Sequence, residues 1–150
     1  MITRRETIYV ALWEMLNAIP QFVTRSRRLQ HWNDVAPALQ PALFMVQHQQ
    51  VVQQVKGLPP TWHFSLSLYI YDHCNGDASA IPGQRLNVLL DAVDDALAAN
   101  AVGEQTLGGL VSNCWISGPI EIYEGYTGMM DQSVAIIPIE IKIPDASGAY

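Results

Sequence analysis

Histidine, cysteine and carboxylate side chains are the groups in this chain that could bind a metal or transfer protons. The four histidines stand singly: none lies three or four residues from another, so no single helix or strand presents two of them to a metal. Four ligand-type side chains share one segment, at Asp72, His73, Cys74 and Asp77. Their spacing matches no zinc or calcium pattern, and a polar turn is the better interpretation. The sequence therefore predicts no metal site and no cofactor.

Nucleophiles and glycine loops also form no catalytic pattern. Cys114 follows the apolar alternation of a strand, where a free cysteine usually behaves as a small inert hydrophobe. The run Thr106–Gly109 (Thr-Leu-Gly-Gly) could suggest an anion-binding loop, but a phosphate loop precedes a helix and carries Lys-Ser or Lys-Thr. An apolar strand pattern follows here, so we interpret the run as a tight turn. We predict that the protein is not an enzyme; a ligand-binding or enzymatic site assembled from distant positions is the alternative.

The composition favours association with other proteins. The 150 residues are 49% hydrophobic and only 15% charged, and the formal net charge is −6. An acidic chain is a poor general ligand for nucleic acid, and few charges leave neutral surface for protein contacts. The two cysteines form no CxxC pair, which fits a reducing compartment. No apolar run approaches the roughly 18 residues of a membrane helix, and no apolar segment follows the charged N-terminus, so we expect neither a membrane span nor a signal peptide.

Two amphipathic helices are predicted from the spacing of apolar residues. In the first, a capping box at Thr3–Glu6 leads into apolar residues at three- and four-residue intervals, and Pro20 ends the pattern. In the second, the same spacing recurs and the Thr106–Gly109 turn follows. The apolar stripes consist of Ile8, Leu12, Met15, Leu16 and Ile19 in the first helix and Leu86, Leu89, Leu90, Val93 and Leu97 in the second.

Strands are predicted where apolar residues alternate with others. Pro138 lies within the last of them and indicates an edge position or a bulge. The segment Gln47–Gln54 is rich in glutamine and is interpreted as a hairpin arm or mobile loop, and residues 31–41 as a polar connection. The predicted extended segments are Gln21–Gln30, Ala42–Val46, Thr61–Tyr71, Leu110–Tyr123 and Ser133–Ile143.

These elements follow one another in the order α, β, β, β, α, β, β. We predict the α+β class, with a mostly antiparallel twisted sheet and two main helices packed on it. One domain accounts for residues 1–150, and 144–150 form a mobile tail.

Two of the strands carry aromatic side chains on the face opposite their core residues. Tyr69 and Tyr71 alternate with core residues in the third extended segment, and Val111, Trp115 and Tyr123 do so in the fourth. Aromatic tips on a semi-polar face are typical of protein interfaces. We therefore predict a contact patch made of Tyr69, Tyr71, Trp115 and Tyr123.

Two further segments are candidates for contacts with a partner. The arm from Gln47 to Lys56 offers Gln49, Gln50 and Gln53 as a second patch. The arginines at positions 25, 27 and 28 form a short basic run, which is usually a solvated strand edge. The alternative is that Arg25, Arg27 and Arg28 contact an acidic neighbouring subunit or passing DNA.

Short motifs along nearly the whole chain, from residue 1 to 143, resemble the tail terminator, or tail completion (minor tail), proteins of long-tailed bacteriophages and prophages. Each motif is structural rather than catalytic. They are Pro-Ala-Leu-Phe at 41–44, Leu-Tyr-Ile-Tyr at 68–71, Leu-Leu-Asp-Ala at 89–92, Gln-Thr-Leu-Gly-Gly at 105–109, Cys-Trp-Ile-x-Gly at 114–118 and Ala-Ile-Ile-Pro-Ile at 135–139.

The resemblance implies a small subunit that forms a homo-oligomer, a hexameric ring on the tip of the tail tube. Such a ring halts tube polymerisation and provides the surface to which the head attaches. The implied partners are the chain itself, the tail tube protein and a head-side connector protein, with DNA only as passing cargo. The implied location is the tail–neck junction of the virion, after assembly in the bacterial cytoplasm. No catalytic residues follow from the resemblance, and another ring protein of the neck is the nearest alternative.

Overall fold

The computed structural model describes residues 5–126 and 128–144 and confirms the α+β class. The predicted order of elements is kept, except that the last strand but one is divided in two. Two short 3-10 turns, at Trp32–Asp34 and Pro37–Leu39, lie in the connection before the second strand. The helices and strands are α1 (Arg5–Asn17), β1 (Thr24–Ser26), β2 (Ala42–Gln53), β3 (Thr61–His73), α2 (Pro82–Ala96), β4 (Asn113–Ile116), β5 (Glu121–Tyr123) and β6 (Gln132–Pro144).

The six strands form one sheet in the spatial order β1-β2-β3-β6-β4, and β5 also pairs with β6. The β1–β2 pair is parallel and the other pairs are antiparallel. β3 and β6 pair over their full length, from Thr61 opposite Pro144 to His73 opposite Gln132. A slip of one residue would turn the core isoleucines of β6 to the other face, so the apolar alternation in both strands fixes this register.

Both helices pack on the same face of the sheet and enclose the main core. Tyr9 was outside the predicted stripe, yet it is buried in this core, and its ring stacks on Phe64 with the centroids 5.6 Å apart. Met15 and Leu90 are only partly buried there. The other stripe residues are buried as predicted: Ile8, Leu12, Leu16 and Ile19 near α1, and Leu86, Leu89, Val93 and Leu97 near α2.

The predicted continuous strand Leu110–Tyr123 is wrong, because β4 ends at Ile116 and β5 begins at Glu121. Both strands pair with β6, where Ile116 lies opposite Ile139 and Glu121 lies opposite Ile136. Five steps along β4 and β5 therefore match three steps along β6. The extra residues bulge out of the sheet between the two short strands.

Pro138 of β6 lies opposite this bulge. Its carbonyl accepts a hydrogen bond from the Ser117 N–H at 2.9 Å, so its backbone nitrogen, which has no hydrogen to donate, faces the same side. Pro138 therefore cannot donate a hydrogen bond to the neighbouring segment, and Gly118 and Pro119 leave the sheet at this point. β6 is an interior strand, so the edge alternative for Pro138 is wrong and the bulge alternative is confirmed, on the neighbouring strand.

Two predictions at the ends of strands are also wrong. Val111 is buried in the main core rather than on the opposite face, because β4 begins only at Asn113 and the alternation does not extend back to it. Pro144 belongs to the end of β6 rather than to a tail. Residues 145–150 of the predicted tail lie outside the described residues.

The predicted capping box cannot be compared in full, because Thr3 lies outside the described residues. Its other member, Glu6, accepts two hydrogen bonds from Arg27, from Nη1 at 2.8 Å and from Nη2 at 3.0 Å. These bonds, together with the positive charge of Arg27, hold the pKa of the Glu6 carboxyl below its ordinary value. The pair links the first turn of α1 to the segment after β1.

The glutamine-rich segment 47–54 is mainly strand, because β2 continues to Gln53 and pairs with β3. The hairpin-arm interpretation is therefore confirmed. The register shifts between Gln47 and Gln49, and His48 at this point has its Nε2 2.7 Å from Oγ of Ser67. β1 covers only the first three residues of β2, at 42–44.

A buried pair of amides and an ion pair with a buried carboxylate stabilise the opposite end of the sheet. The amides of Gln40 and Gln132 exchange hydrogen bonds of 2.9 and 2.8 Å. The carboxylate of Asp72, which is 1% exposed, accepts from Arg85 Nε at 2.8 Å and Nη2 at 3.1 Å. This carboxylate raises the pKa of Arg85. Each pair joins a connecting segment or helix to the ends of β3 and β6.

Candidate interaction surface

The face of the sheet opposite the helices carries a second apolar cluster. Its buried members are Ala42 and Phe44 of β2, Tyr71 of β3 and Val134 of β6, with Val35 from the connection between β1 and β2 packed on them. The connection predicted as polar therefore covers part of this face, and Val35 anchors it. Around the cluster, Tyr69, Tyr123 and Ile136 pack against it and are only partly buried.

An open hollow of about 520 Å³ lies beside this cluster. Its floor is formed by β3, β5 and β6. One wall is formed by Trp32, which the 3-10 turn Trp32–Asp34 holds in place, and by Met129. We call it the aromatic hollow; the large side chains that line it are Trp32, Tyr69, Tyr71, Tyr123, Met129 and Ile136.

Tyr71 connects the floor of the aromatic hollow to Gln30, in the segment after β1. Its hydroxyl donates to the backbone oxygen of Gln30 at 2.7 Å, and its ring lies against Phe44 with the centroids 5.4 Å apart. Burial, with a smaller contribution from the neighbouring Tyr69, raises the pKa of Tyr71 to about 12. The phenol is therefore held neutral as a hydrogen-bond donor.

We expect stability at alkaline pH to depend on Tyr71. The folded chain disfavours the phenolate, so this contribution is complete below the ordinary pKa of 10 and is lost as the pH rises towards 12. The loss is about 1 kcal/mol near pH 11. Tyr71→Phe should remove this pH dependence and cost about 1 kcal/mol at neutral pH through the lost hydrogen bond. Urea unfolding of both proteins near pH 8 and pH 11 measures the loss of the hydrogen bond and the pH-dependent loss. An identical pH dependence of the unfolding free energy in the two proteins would contradict the role given to Tyr71.

The structure brings together three of the four aromatic residues predicted to form a patch. Tyr69, Tyr71 and Tyr123 all line the aromatic hollow. Trp115 does not: it lies on β4 opposite Glu140 and lines a separate depression next to the C-terminal end of α2, beside Leu97. The bulge between β4 and β5 separates the two sites along the same edge of β6.

The three glutamines of the predicted second patch lie towards the other end of the sheet. Gln50 accepts from Nε of Arg5 and lies 3.4 Å from the hydroxyl of Tyr9, so it is partly engaged within the fold. The Oε1 of Gln53 is 3.2 Å from Nε2 of His63. Gln49 is exposed. The predicted second patch is thus spatially distinct from the aromatic hollow.

The three arginines of the basic run differ in their surroundings. Arg25 donates to the backbone oxygens of Asn17 and Phe22, so it satisfies a carbonyl at the end of α1. Arg27 binds Glu6, and its guanidinium carbon lies 5.8 Å from the ring centroid of Tyr9. Arg28 is exposed.

The predicted patch did not include Trp32 and Met129, which form the wall of the aromatic hollow. Both occur in stretches without strand or helix periodicity, at 31–41 and 124–132. The signal that could have indicated them is a large apolar side chain within an otherwise polar connection, because such a residue usually has a surface to pack against.

The four ligand-type side chains at 72–77 are engaged within the fold. Asp72 binds Arg85, the Nδ1 of His73 accepts from a backbone N–H at 2.9 Å, and Asp77 accepts from Ser79. Burial raises the pKa of the Cys74 thiol. Within residues 5–126 and 128–144, no group of three or more His, Cys, Asp or Glu side chains is arranged to hold a metal. No helix in those ranges is both long and apolar enough to cross a membrane.

Comparison with known proteins shows similarity to solved structures. No protein-family model and no curated protein matches this chain. The fold is similar to that of a chain in a solved structure titled "Virion of native gene transfer agent (GTA) particle". The two chains are 12% identical with a TM-score of 0.53, and the similarity covers 90% of this chain and 92% of that chain. At this level of identity the similarity shows a shared fold.

Proposed function

We propose that this chain is a non-enzymatic structural subunit of a phage-like virion. We further propose that it assembles as a ring on the end of the tail tube, stops tube polymerisation there and forms the surface that joins the head. The observation that carries the proposal is the fold shared with a virion chain over 90% of this protein. The motifs that resemble tail terminator proteins indicate the position in the particle.

The surfaces of the subunit are compatible with a ring. A closed ring is built from head-to-tail contacts, so each subunit needs two different patches that complement each other. The aromatic hollow lies where β3 ends, near Tyr71, and the glutamine arm lies where β3 begins, near Thr61. The depression beside Trp115 is a third surface, available for a tube or head protein.

The native mass of the purified protein across a concentration series is the first test. We expect a discrete species near six times the 16.6 kDa of one chain. A protein that stays monomeric at every concentration would restrict the proposal to a subunit that forms its ring on the tube. In that case, sedimentation with purified tail tubes decides, and failure to bind tubes or to stop their growth contradicts the proposal.

Charged substitutions in the aromatic hollow should block assembly and leave the monomer folded. Tyr123→Asp places a charge against the aromatic hollow, and we expect it to weaken self-association at least about tenfold, as loss of a buried aromatic contact does. Val102→Asp is the matched control, because Val102 is 76% exposed and lies in the turn after α2. Equal association constants for Tyr123→Asp and Val102→Asp would exclude this patch.

Trp115→Asp tests the role of the depression beside Trp115 separately from that of the aromatic hollow. If Trp115 contacts a tube or head protein, this variant should keep the subunit mass of the native assembly and lose the binding of that partner. The identity of the lost partner also distinguishes a tail terminator from another ring of the neck. Loss of neither property would remove the depression beside Trp115 from the proposal.

A further inference from the structure

Two groups of exposed large apolar side chains lie at opposite ends of the sheet, and other such side chains are scattered between them. One group lies at and beside the turn of the β2–β3 hairpin, and another surrounds the aromatic hollow. Single exposed apolar residues are ordinary, but clusters of them mark contact sites. The tip cluster consists of Val51, Val52, Val55 and Leu58, and the rim cluster consists of Leu29, Tyr126 and Met130.

The tip is centred on the connection between Gln53, the last residue of β2, and Thr61, the first residue of β3. A turn closes it, with the Leu58 N–H donating to the Val55 oxygen at 3.0 Å and Gly57 at a φ of +86°. Pro59 and Pro60 follow at once, and their rings fix the backbone. Leu58 is 62% exposed. A projecting leucine followed by two prolines would lose little conformational freedom on binding, which favours association.

The aromatic hollow has side chains whose chemistry suits an apolar tip with two prolines. The tyrosines of its floor and the Trp32 of its wall are the kind of aromatic surface that receives proline-containing segments in known recognition grooves. Tyr126 extends the surface, since its ring lies 5.6 Å from that of Tyr123. The hydroxyls of Tyr69 and Tyr123 offer hydrogen bonds at the edges of the hollow.

The charges at the two ends are also complementary. Between residues 47 and 60 the chain has one fully charged side chain, Lys56, and no acidic residue. At the hollow, the carboxylate of Glu121 lies 3.4 Å from the hydroxyl of Tyr123. Asp131 lines the adjoining depression, which shares Trp32 with the hollow. Lys56 at the tip is therefore opposite in charge to Glu121 and Asp131 beside the hollow, although the exposed Arg28 also lies next to the rim residue Leu29. Opposite charges steer an encounter between two copies.

We propose that the β2–β3 tip of one copy of this chain docks into the aromatic hollow of a second copy. Leu58 and the proline pair then pack against Trp32, Tyr69 and Tyr123. The two ends lie about 30 Å apart along β3, so one copy cannot fill its own hollow and the contact is head-to-tail. This inference rests on the proposed function and deepens it, because it names the contact that joins neighbouring subunits of the ring.

Leu58→Asp tests the apolar part of the contact. We expect the dissociation constant for self-association, measured by analytical ultracentrifugation, to rise at least about tenfold. Val102→Asp is the control for an added charge on an exposed valine. Leu58 is exposed, so circular dichroism and the urea midpoint should match the native protein. An assembly unaffected by Leu58→Asp overturns the docking contact while leaving the ring itself in place.

Cross-linking tests the pairing directly. Leu58→Cys and Met130→Cys subunits, mixed in solution or on tail tubes, should give a 58–130 cross-link with a short bismaleimide. The native Cys74 and Cys114 are buried and should not compete. Mixtures of Leu58→Cys with Val102→Cys should give none. Absence of the 58–130 product, or its replacement by 58–58 products, overturns the proposal, whereas tube binding by the same subunits tests the proposed function separately.

Charge reversal provides a second, independent test. Lys56→Glu should weaken self-association, and the effect should shrink as the salt concentration rises. Combining it with Glu121→Lys should restore part of the lost affinity. If the double variant associates no better than Lys56→Glu alone, the tip does not lie against Glu121 and the proposed orientation is wrong.

Discussion

Phe64→Ala is expected to lower the free energy of unfolding by about 4 kcal/mol. Phe64 is fully buried, and its ring lies between that of Tyr9, which it stacks on, and that of Trp62, with centroids 6.4 Å apart at a steep angle. The guanidinium groups of Arg27 and Arg5 lie over Tyr9 and Trp62, at 5.8 and 5.1 Å from their centroids. Truncation at Phe64 therefore leaves a cavity and also loosens the contact of α1 with β3.

Urea unfolding followed by tryptophan fluorescence measures this loss. Tyr126→Ala is the matched control, because it removes a large aromatic ring that is 54% exposed and should change the monomer's stability by less than about 0.5 kcal/mol. A domain of ordinary stability would keep only a few kcal/mol in the Phe64 variant. A loss below about 1 kcal/mol would show that the layer between α1 and β3 is not packed as described.

The elements that the sequence predicted well are those whose pattern is local and long. In β3, Phe64, Leu66, Leu68 and Ile70 alternate over most of the strand, and the same alternation recurs in β6. Each strand therefore has one face that must be buried, and their full-length pairing follows from matching those faces. The stripe of α2 was equally clear, because its apolar residues recur at intervals of three or four residues, close to one helical turn of 3.6 residues.

The bulge between β4 and β5 shows the limit of such reasoning. Pro138 gave a correct local signal, since a missing N–H must lie at an edge or a bulge. Its consequence falls on another segment, Ser117 to Ile120, which lies beside Pro138 only in the folded chain. The position of the interruption therefore depended on a long-range pairing that single-residue patterns do not contain.

Only part of the aromatic hollow was predicted, because the rest of it also depends on long-range contacts. Its floor residues Tyr69, Tyr71 and Tyr123 lie on strands and are visible by alternation. Its walls, Trp32 and Met129, come from connections almost a hundred residues apart and are placed by tertiary contacts. One such contact is the pair of buried amides formed by Gln40 and Gln132.

Gln132→Leu is expected to lower the free energy of unfolding by about 3 kcal/mol. The Gln132 amide nitrogen is within hydrogen-bond distance of the Gln40 side-chain oxygen, at 2.8 Å, and of the backbone oxygens of Asp72 and Ser133, each at 3.0 Å. Leucine has a similar size and no polar atoms. It would leave the buried Gln40 amide and the Asp72 carbonyl without this partner, and an unsatisfied buried polar group is costly.

The same substitution should also loosen the wall of the aromatic hollow. Gln40 donates to the Val35 oxygen at 3.0 Å, so the amide pair connects β6 to the segment that carries Trp32. We expect faster hydrogen exchange in residues 31–41 and weaker self-association in Gln132→Leu, whereas Gln84→Leu, at an exposed position of α2, should change neither. Either single substitution already removes the hydrogen bonds between the two amides. The double variant Gln40→Leu/Gln132→Leu should therefore be destabilised by less than the sum of the single effects, by at least about 1 kcal/mol. Additive single effects would show that the two amides do not act as one unit. Unchanged hydrogen exchange in residues 31–41 would show that Trp32 is held in place by the rest of its segment.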